Sequence, residues 1–158
     1  MYIARLIATL LILGMAACGG PPPPTKFALS IVASPELNVN SDKQPSPVVV
    51  RVYDLKSTDA FLGATFFDLF DNDTAKLGGD LLGRKELMMQ PGMTVKLDRE
   101  SSPDTRFIAV LAGFRVIGES GWRAWMRVDP GSSNSVVISL DPNTVRIAPA
   151  KSRFLGIF

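Results

Sequence analysis

From Lys26 onward the apolar residues recur mostly at every second position. Phe27, Leu29, Ile31 and Ala33 alternate with Lys26, Ala28, Ser30 and Val32, the spacing of a strand with one face toward a core. Pro35 to Pro47 interrupts it with Asn38, Asn40, Ser41, Asp42 and prolines at 35, 45 and 47, and reads as a polar loop. Val48 to Leu55 is a second, β-branched strand, with Val48, Val50 and Val52 on one side and Arg51 and Tyr53 on the other.

The period then lengthens. Ser57-Thr58-Asp59 supplies helix N-cap residues, and Phe66, Leu69 and Phe70 share one helical face. Asn72-Asp73 and Gly78-Gly79 punctuate this region, which predicts two short helices between Ser57 and Leu82. Strands return afterward. Lys85–Met89 and Thr94–Asp98, joined through Gln90-Pro91-Gly92, predict a hairpin. Arg106–Ala112 is nearly all apolar, as expected of a strand covered on both faces. Trp122, Ala124, Met126 and Val128 alternate with Arg123, Trp125, Arg127 and Asp129, which puts the two tryptophans on opposite faces. Ser135–Leu140 and Thr144–Ile147 flank Asp141-Pro142-Asn143, a second hairpin signal. About eight closely spaced strands with one helical insertion predict a mainly β, two-sheet sandwich.

The N-terminus follows other rules. Met1–Arg5 carries one positive charge, Leu6–Met15 is apolar, and Ala16-Ala17 are small. That is the layout of a secretory signal peptide over residues 1–17, too short for a membrane span of about 20 residues. Met15-Ala16-Ala17-Cys18 resembles a bacterial lipobox, although Met15 stands where Leu is usual. The resemblance implies acylation of Cys18, palmitate among the chains, and multiple acyl chains suffice for stable anchoring. Gly19 after the cysteine, in place of an Asp, resembles the signal for sorting to the outer membrane. Residues 18–25 then form a lipidated, proline-rich tether, with Pro21–Pro24 favouring a stiff polyproline II spacer. The folded domain spans 26–158.

Composition narrows the chemistry. The 158 residues suit a single domain. There are 17 Lys and Arg against 15 Asp and Glu, so the clustered basic footprint of a nucleic-acid binder is not expected. The chain has no histidine, and Cys18 is its sole cysteine. Imidazole-dependent catalysis and an internal disulfide are thereby excluded, and zinc sites lose most of their ligands. Gly78–Lys85 lacks the ending of a phosphate-binding loop. Asp71 and Asp73 start like a calcium loop, but Ala75, Lys76 and Leu82 fail the pattern, so a solvated helix end is expected there. Scattered carboxylates give no catalytic pair. No cofactor, metal or catalytic residue is predicted.

One ordered set of motifs adds to this reading. Ala33-Ser34-Pro35-Glu36-Leu37-Asn38 and Pro45–Lys56 are followed by Phe61, Phe66-Phe67-Asp68-Leu69-Phe70, Leu77-Gly78, Pro91-Gly92, Arg106–Phe114 and Trp122-Arg123. Over about Ile31 to Val128 this series resembles the TssJ family, the outer-membrane lipoprotein of the type VI secretion system. The resemblance implies a transthyretin-like sandwich with a helical insertion. It implies a non-catalytic lipoprotein, facing the periplasm, that binds the periplasmic part of TssM and docks the secretion membrane complex to the outer membrane. It also implies that the Pro35–Pro47 loop makes that contact, with Glu36, Leu37, Asn38, Asp42 and Lys43 as candidate residues. The four-proline tether and the Phe-rich tail at 151–158 are not explained by the family. A different class remains open: a lipid-anchored periplasmic module with a small-ligand pocket lined by Phe, Trp and Met.

Overall fold

A computed structural model of the chain describes residues 20–119 and 121–150; the predicted leader, Cys18 and the tail at 151–158 lie outside the described residues. The strands are β1 (Thr25–Ala33), β2 (Val48–Leu55), β3 (Leu81–Met89), β4 (Thr94–Ser101), β5 (Phe107–Ala112), β6 (Arg123–Arg127), β7 (Ser133–Leu140) and β8 (Val145–Pro149). Helices α1 (Asp59–Gly63) and α2 (Phe66–Leu77), with a 3-10 turn at Gly78–Asp80, lie between β2 and β3. Two four-stranded sheets result, in the orders β4-β1-β7-β8 and β3-β2-β5-β6. The periodicity predicts this two-sheet, eight-stranded architecture with its helical insert. Pairing between strands is antiparallel apart from β1 with β7, where Lys26 lies beside Ser133 and Ala33 beside Leu140.

Alternation decides what each sheet buries. Phe27, Leu29, Ile31 and Ala33 of β1 meet Val48, Val50 and Val52 of β2, with Ile108, Val110, Val136, Ile138 and Leu140 completing the core between the sheets. The opposite face of the β2–β5 pair is apolar too. Tyr53, Leu55, Ala109 and Leu111 pack there under Phe61, Phe66, Leu69 and Leu77 of the helices, so most of β2 and β5 is covered on both faces. Helix α2 starts at a capping box: Thr65 Oγ1 accepts from the Asp68 amide (3.2 Å) and the Asp68 carboxylate accepts from the Thr65 amide (2.9 Å).

One predicted pairing is corrected. The Gln90-Pro91-Gly92 turn exists, with the Met93 amide donating to Gln90 O (3.1 Å) and Gly92 at φ +73°. Its flanking strands do not pair, because β3 pairs with β2 and β4 pairs with β1. Met89 is fully buried, and Leu87, Val95 and Leu97 pack on the same inter-sheet core. Placing β3 and β4 in opposite layers lets both apolar stripes face that core, so the turn crosses the sandwich instead of closing a hairpin. The predicted β7–β8 hairpin is present, from Leu140 beside Val145 to Val136 beside Pro149.

Arginines satisfy the helix ends against the sheet. Helix α2 is broken at Asn72 (φ −140°, ψ 41°), and Arg51 Nη1 donates to the carbonyls of Leu69 (3.1 Å) and Phe70 (2.7 Å) just before the break. Arg123 Nη1 donates to the carbonyls of Phe61 (3.0 Å) and Ala64 (2.9 Å) at the end of α1. Asp73 is buried under α2 rather than solvated, a second correction. The helix turns it inward, where it accepts from Tyr53 OH (3.0 Å) and from Arg84 Nη1 (2.7 and 2.9 Å). At the sheet edge, Arg99 of β4 pairs with buried Asp54 of β2 across the two layers. Gly83 beside Asp54 leaves room for that carboxylate, since a Cβ there would lie 2.5 Å from Oδ2.

Burial opposes ionisation of Asp73. Hydrogen bonds from Arg84 and Tyr53 and the charges of Arg84 and Arg51 outweigh it, and its carboxyl is held below the ordinary 3.8. A carboxylate with a depressed folded pKa stabilises fully above its unfolded value and loses that contribution as pH falls through the folded one. Asp73→Asn is therefore expected to lower stability by about 2 kcal/mol at pH 7. In urea unfolding, the gap between wild type and variant should close as pH drops below 3.8; a gap independent of pH would refute this.

Candidate docking surface

Strand direction sorts the connections onto two ends of the sandwich. Gly20–Pro24 lead into β1 at one end. There the Lys26 amide donates to Ser132 O (2.9 Å), the Gly131 amide donates to Thr25 Oγ1 (2.9 Å), and a Cβ on Gly131 would lie 3.3 Å from Pro23 O. Residues 20–24 thus run beside the β6–β7 connection. The far end gathers the β1–β2 loop, the β3–β4 turn, the β5–β6 connection and the β7–β8 turn. An eight-residue strand sets the ends about 27 Å apart.

The β1–β2 loop is shaped by its own side chains. Ser34 Oγ accepts from the Glu36 amide (3.1 Å) and Ser34 O accepts from the Leu37 amide (3.1 Å). Asn40 Oδ1 then accepts from the amides of Asp42 (2.9 Å) and Gln44 (2.8 Å), folding the tip into a turn with Lys43 at φ +60°. Two predicted contact residues face inward. Leu37 is fully buried in the inter-sheet core. Asn38, at φ +49°, is a junction: its Oδ1 accepts from the Arg115 amide (2.9 Å), its Nδ2 donates to Pro47 O (3.0 Å), and its own amide donates to Pro142 O (2.7 Å). Three loops are joined through one side chain and its backbone. Glu36, Asp42 and Lys43 point outward and are exposed.

The far-end surface has members that sequence reasoning did not single out. Asn38, Val39, Phe114, Arg115, Val116, Pro142 and Asn143 line a cleft of about 120 Å³. Val39 is 40% and Val116 53% exposed at its rim, and Val32, Met88 and Met93 are exposed at the same end. Val39 and Val116 are apolar residues set among polar loop positions, which was the available signal. Trp122, by contrast, packs edge-on against Phe66 (5.5 Å), while Trp125 lies more exposed against Phe107 (5.8 Å).

The chemistry available here is contact chemistry: apolar rims, a shaped loop and charges at its tip. Among the described residues no group of three or more His, Cys, Asp or Glu is placed to hold a metal. A hollow of about 370 Å³ lies at the tether end, lined by Lys26, Phe27, Ala28, Asp98, Arg99, Glu100, Ser133, Asn134 and Ser135. Phe27 is its one aromatic, so it is not the Phe-, Trp- and Met-lined pocket that a small-ligand module needs.

The fold is a two-sheet β-sandwich with four connections grouped at the end opposite Gly20–Pro24. The model of the family described as Type VI secretion lipoprotein, VasD, EvfM, TssJ matches residues 25–143. The chain belongs to this type VI secretion lipoprotein family. Among curated proteins none matches. Among solved structures, the T6SS lipoprotein TssJ1 from Pseudomonas aeruginosa is similar at 30% identity, covering 82% of this chain and 99% of that one, with TM-score 0.78. Serratia marcescens Lip, a membrane-bound component of the type VI secretion system, is similar at 25% identity over 81% of this chain and 99% of that one, with TM-score 0.72. A chain in the structure of the T6SS protein TssM C-terminal domain from EAEC is similar at 27% identity over 79% and 98%, with TM-score 0.65.

Asn38→Ala tests the division between contact and scaffold residues. Losing two side-chain hydrogen bonds at a positive-φ position should destabilise the domain by about 2 kcal/mol. Asp42→Ala, on the exposed tip, should stay within about 0.5 kcal/mol. Equal urea midpoints for the two variants would contradict the assignment.

Proposed function

We propose that this chain is an outer-membrane lipoprotein, acylated at Cys18, that binds the periplasmic part of TssM and docks the type VI secretion membrane complex to the outer membrane. The carrying observation is polarity: the loop surface lies at the end of the sandwich opposite the tether. A domain held by residues 18–25 directs that surface away from its membrane, toward a partner rooted elsewhere. Chains similar to this one occur in the structure of the TssM C-terminal domain and in that of the type VI membrane complex, which supports TssM as the partner. Glu36, Asp42 and Lys43 supply the charged contacts, and Leu37 and Asn38 hold the loop in shape. A loop fixed before binding loses less entropy on binding. The role is non-catalytic and needs no cofactor, nucleic acid or small-molecule substrate.

Calorimetry with residues 20–158 and the periplasmic region of TssM tests the docking role. Saturable binding is expected, weakened about tenfold by Glu36→Lys with Asp42→Lys at an unchanged urea midpoint. No binding by the folded domain would return the small-ligand module to the front. In cells, Cys18→Ala should abolish acyl labelling, and a label that persists would remove the anchor.

A further inference from the structure

The helices cover the middle of the outer face of the β3-β2-β5-β6 sheet, and apolar side chains are exposed at its far-end corner, beside the Arg51–Glu86 ion pair. Phe67, in the first turn of α2, is 65% exposed although its neighbour Phe66 is buried. The rings of Phe66 and Phe67 meet edge-on at 5.4 Å, and Phe66 stacks on Phe70 at 5.1 Å. Phe70 in turn lies over Gly113, where a Cβ would come within 3.2 Å of its ring and 3.6 Å of Val49 O. Val49 pairs across the strands with Met88, which is 55% exposed. Phe67, Phe66, Phe70, Val49 and Met88 therefore form one strip.

This strip adjoins the loop cleft. The Gly113 amide donates to Val49 O (2.8 Å), and the next three residues, Phe114, Arg115 and Val116, form a wall of the cleft. A body seated on the far end thus meets both. Size argues the same way. A stable protein–protein contact buries roughly 800 Å² on each partner, and the strip extends the surface beside the cleft with large apolar side chains. Exposed Phe and Met beside a shaped polar loop have the composition of an interface core, rigid ring and adaptable thioether together.

We propose that the Phe67–Met88 strip is a second contact surface for the periplasmic part of TssM, continuous with the far-end loop cleft. This rests on the docking reading above. The test is calorimetry of residues 20–158 carrying Phe67→Ser with Met88→Ser. The crystallised TssJ1 chain aligns over 99% of its length with 82% of this one, so a relative of about the sandwich's extent folds by itself. Affinity for TssM is expected to fall about tenfold with an unchanged urea midpoint, whereas Leu62→Ser with Trp125→Ser, exposed elsewhere, leaves it within about twofold. Should the double variant unfold, Phe67→Gln alone gives the same readout at an exposed helix position. If the strip variant binds like wild type while the loop variant weakens, the strip is excluded and the docking role stands. A wild-type dimer that the strip variant abolishes, with TssM affinity unchanged, assigns the strip to a second copy and overturns the proposal. Absence of binding by wild type overturns both readings.

Discussion

Val50 and Val52 of β2 face the other sheet while Tyr53 and Leu55 face the helices, so this strand is covered on both sides over its second half. A sandwich sheet normally keeps one face in water, and sealing the second face requires a cover. The helical insertion between β2 and β3 is that cover. It brings polar backbone against an apolar sheet, and Arg51 and Arg123 reach up from the sheet to its end carbonyls. Asp73 reaches down to Tyr53 and Arg84 in return. Removing one charged partner from such a buried set leaves the others uncompensated, which is why each matters beyond its own contact.

The same arrangement gives the molecule two unlike ends. The cover occupies the centre of one face, Gly20–Pro24 and the β6–β7 connection lie at one end, and four connections build the other. Asn38 ties three of those connections together, so the far end is a shaped surface rather than a set of independent loops. The segment leading into β1 and this shaped surface thus lie at opposite ends of the sandwich, which supports the proposed docking role.

Much of this was legible in the sequence, for identifiable reasons. The strands were visible because a half-buried strand must alternate, as Phe27 to Ala33 do, and β5 because a doubly covered strand cannot. The capping box at Thr65 and Asp68 was a readable signature that the N-cap run at 57–59 overshadowed. The β3–β4 connection misled because turn chemistry is local, whereas the choice of pairing partner depends on which layer completes the core. Leu37 and Asn38 entered as contact candidates through the family resemblance; Leu37 is buried in the inter-sheet core, and Asn38 is held by Pro47 of its own loop and by Arg115 and Pro142, which are distant in sequence. Asp73 turned inward for a similar reason, through Arg84 on a strand that follows it. The Phe67 strip needed the fold outright, since nothing local separates an exposed Phe from a buried one.

Site-specific photocrosslinking of the full-length lipoprotein in intact cells tests the polarity of the two ends most directly. A photoreactive residue would replace Val39 or Val116 at the far end, or Asp104 or Arg127 at the tether end. Crosslinks to TssM from the first pair and none from the second are the predicted result. Crosslinks to TssM from Asp104 or Arg127, with none from Val39 or Val116, would contradict the account.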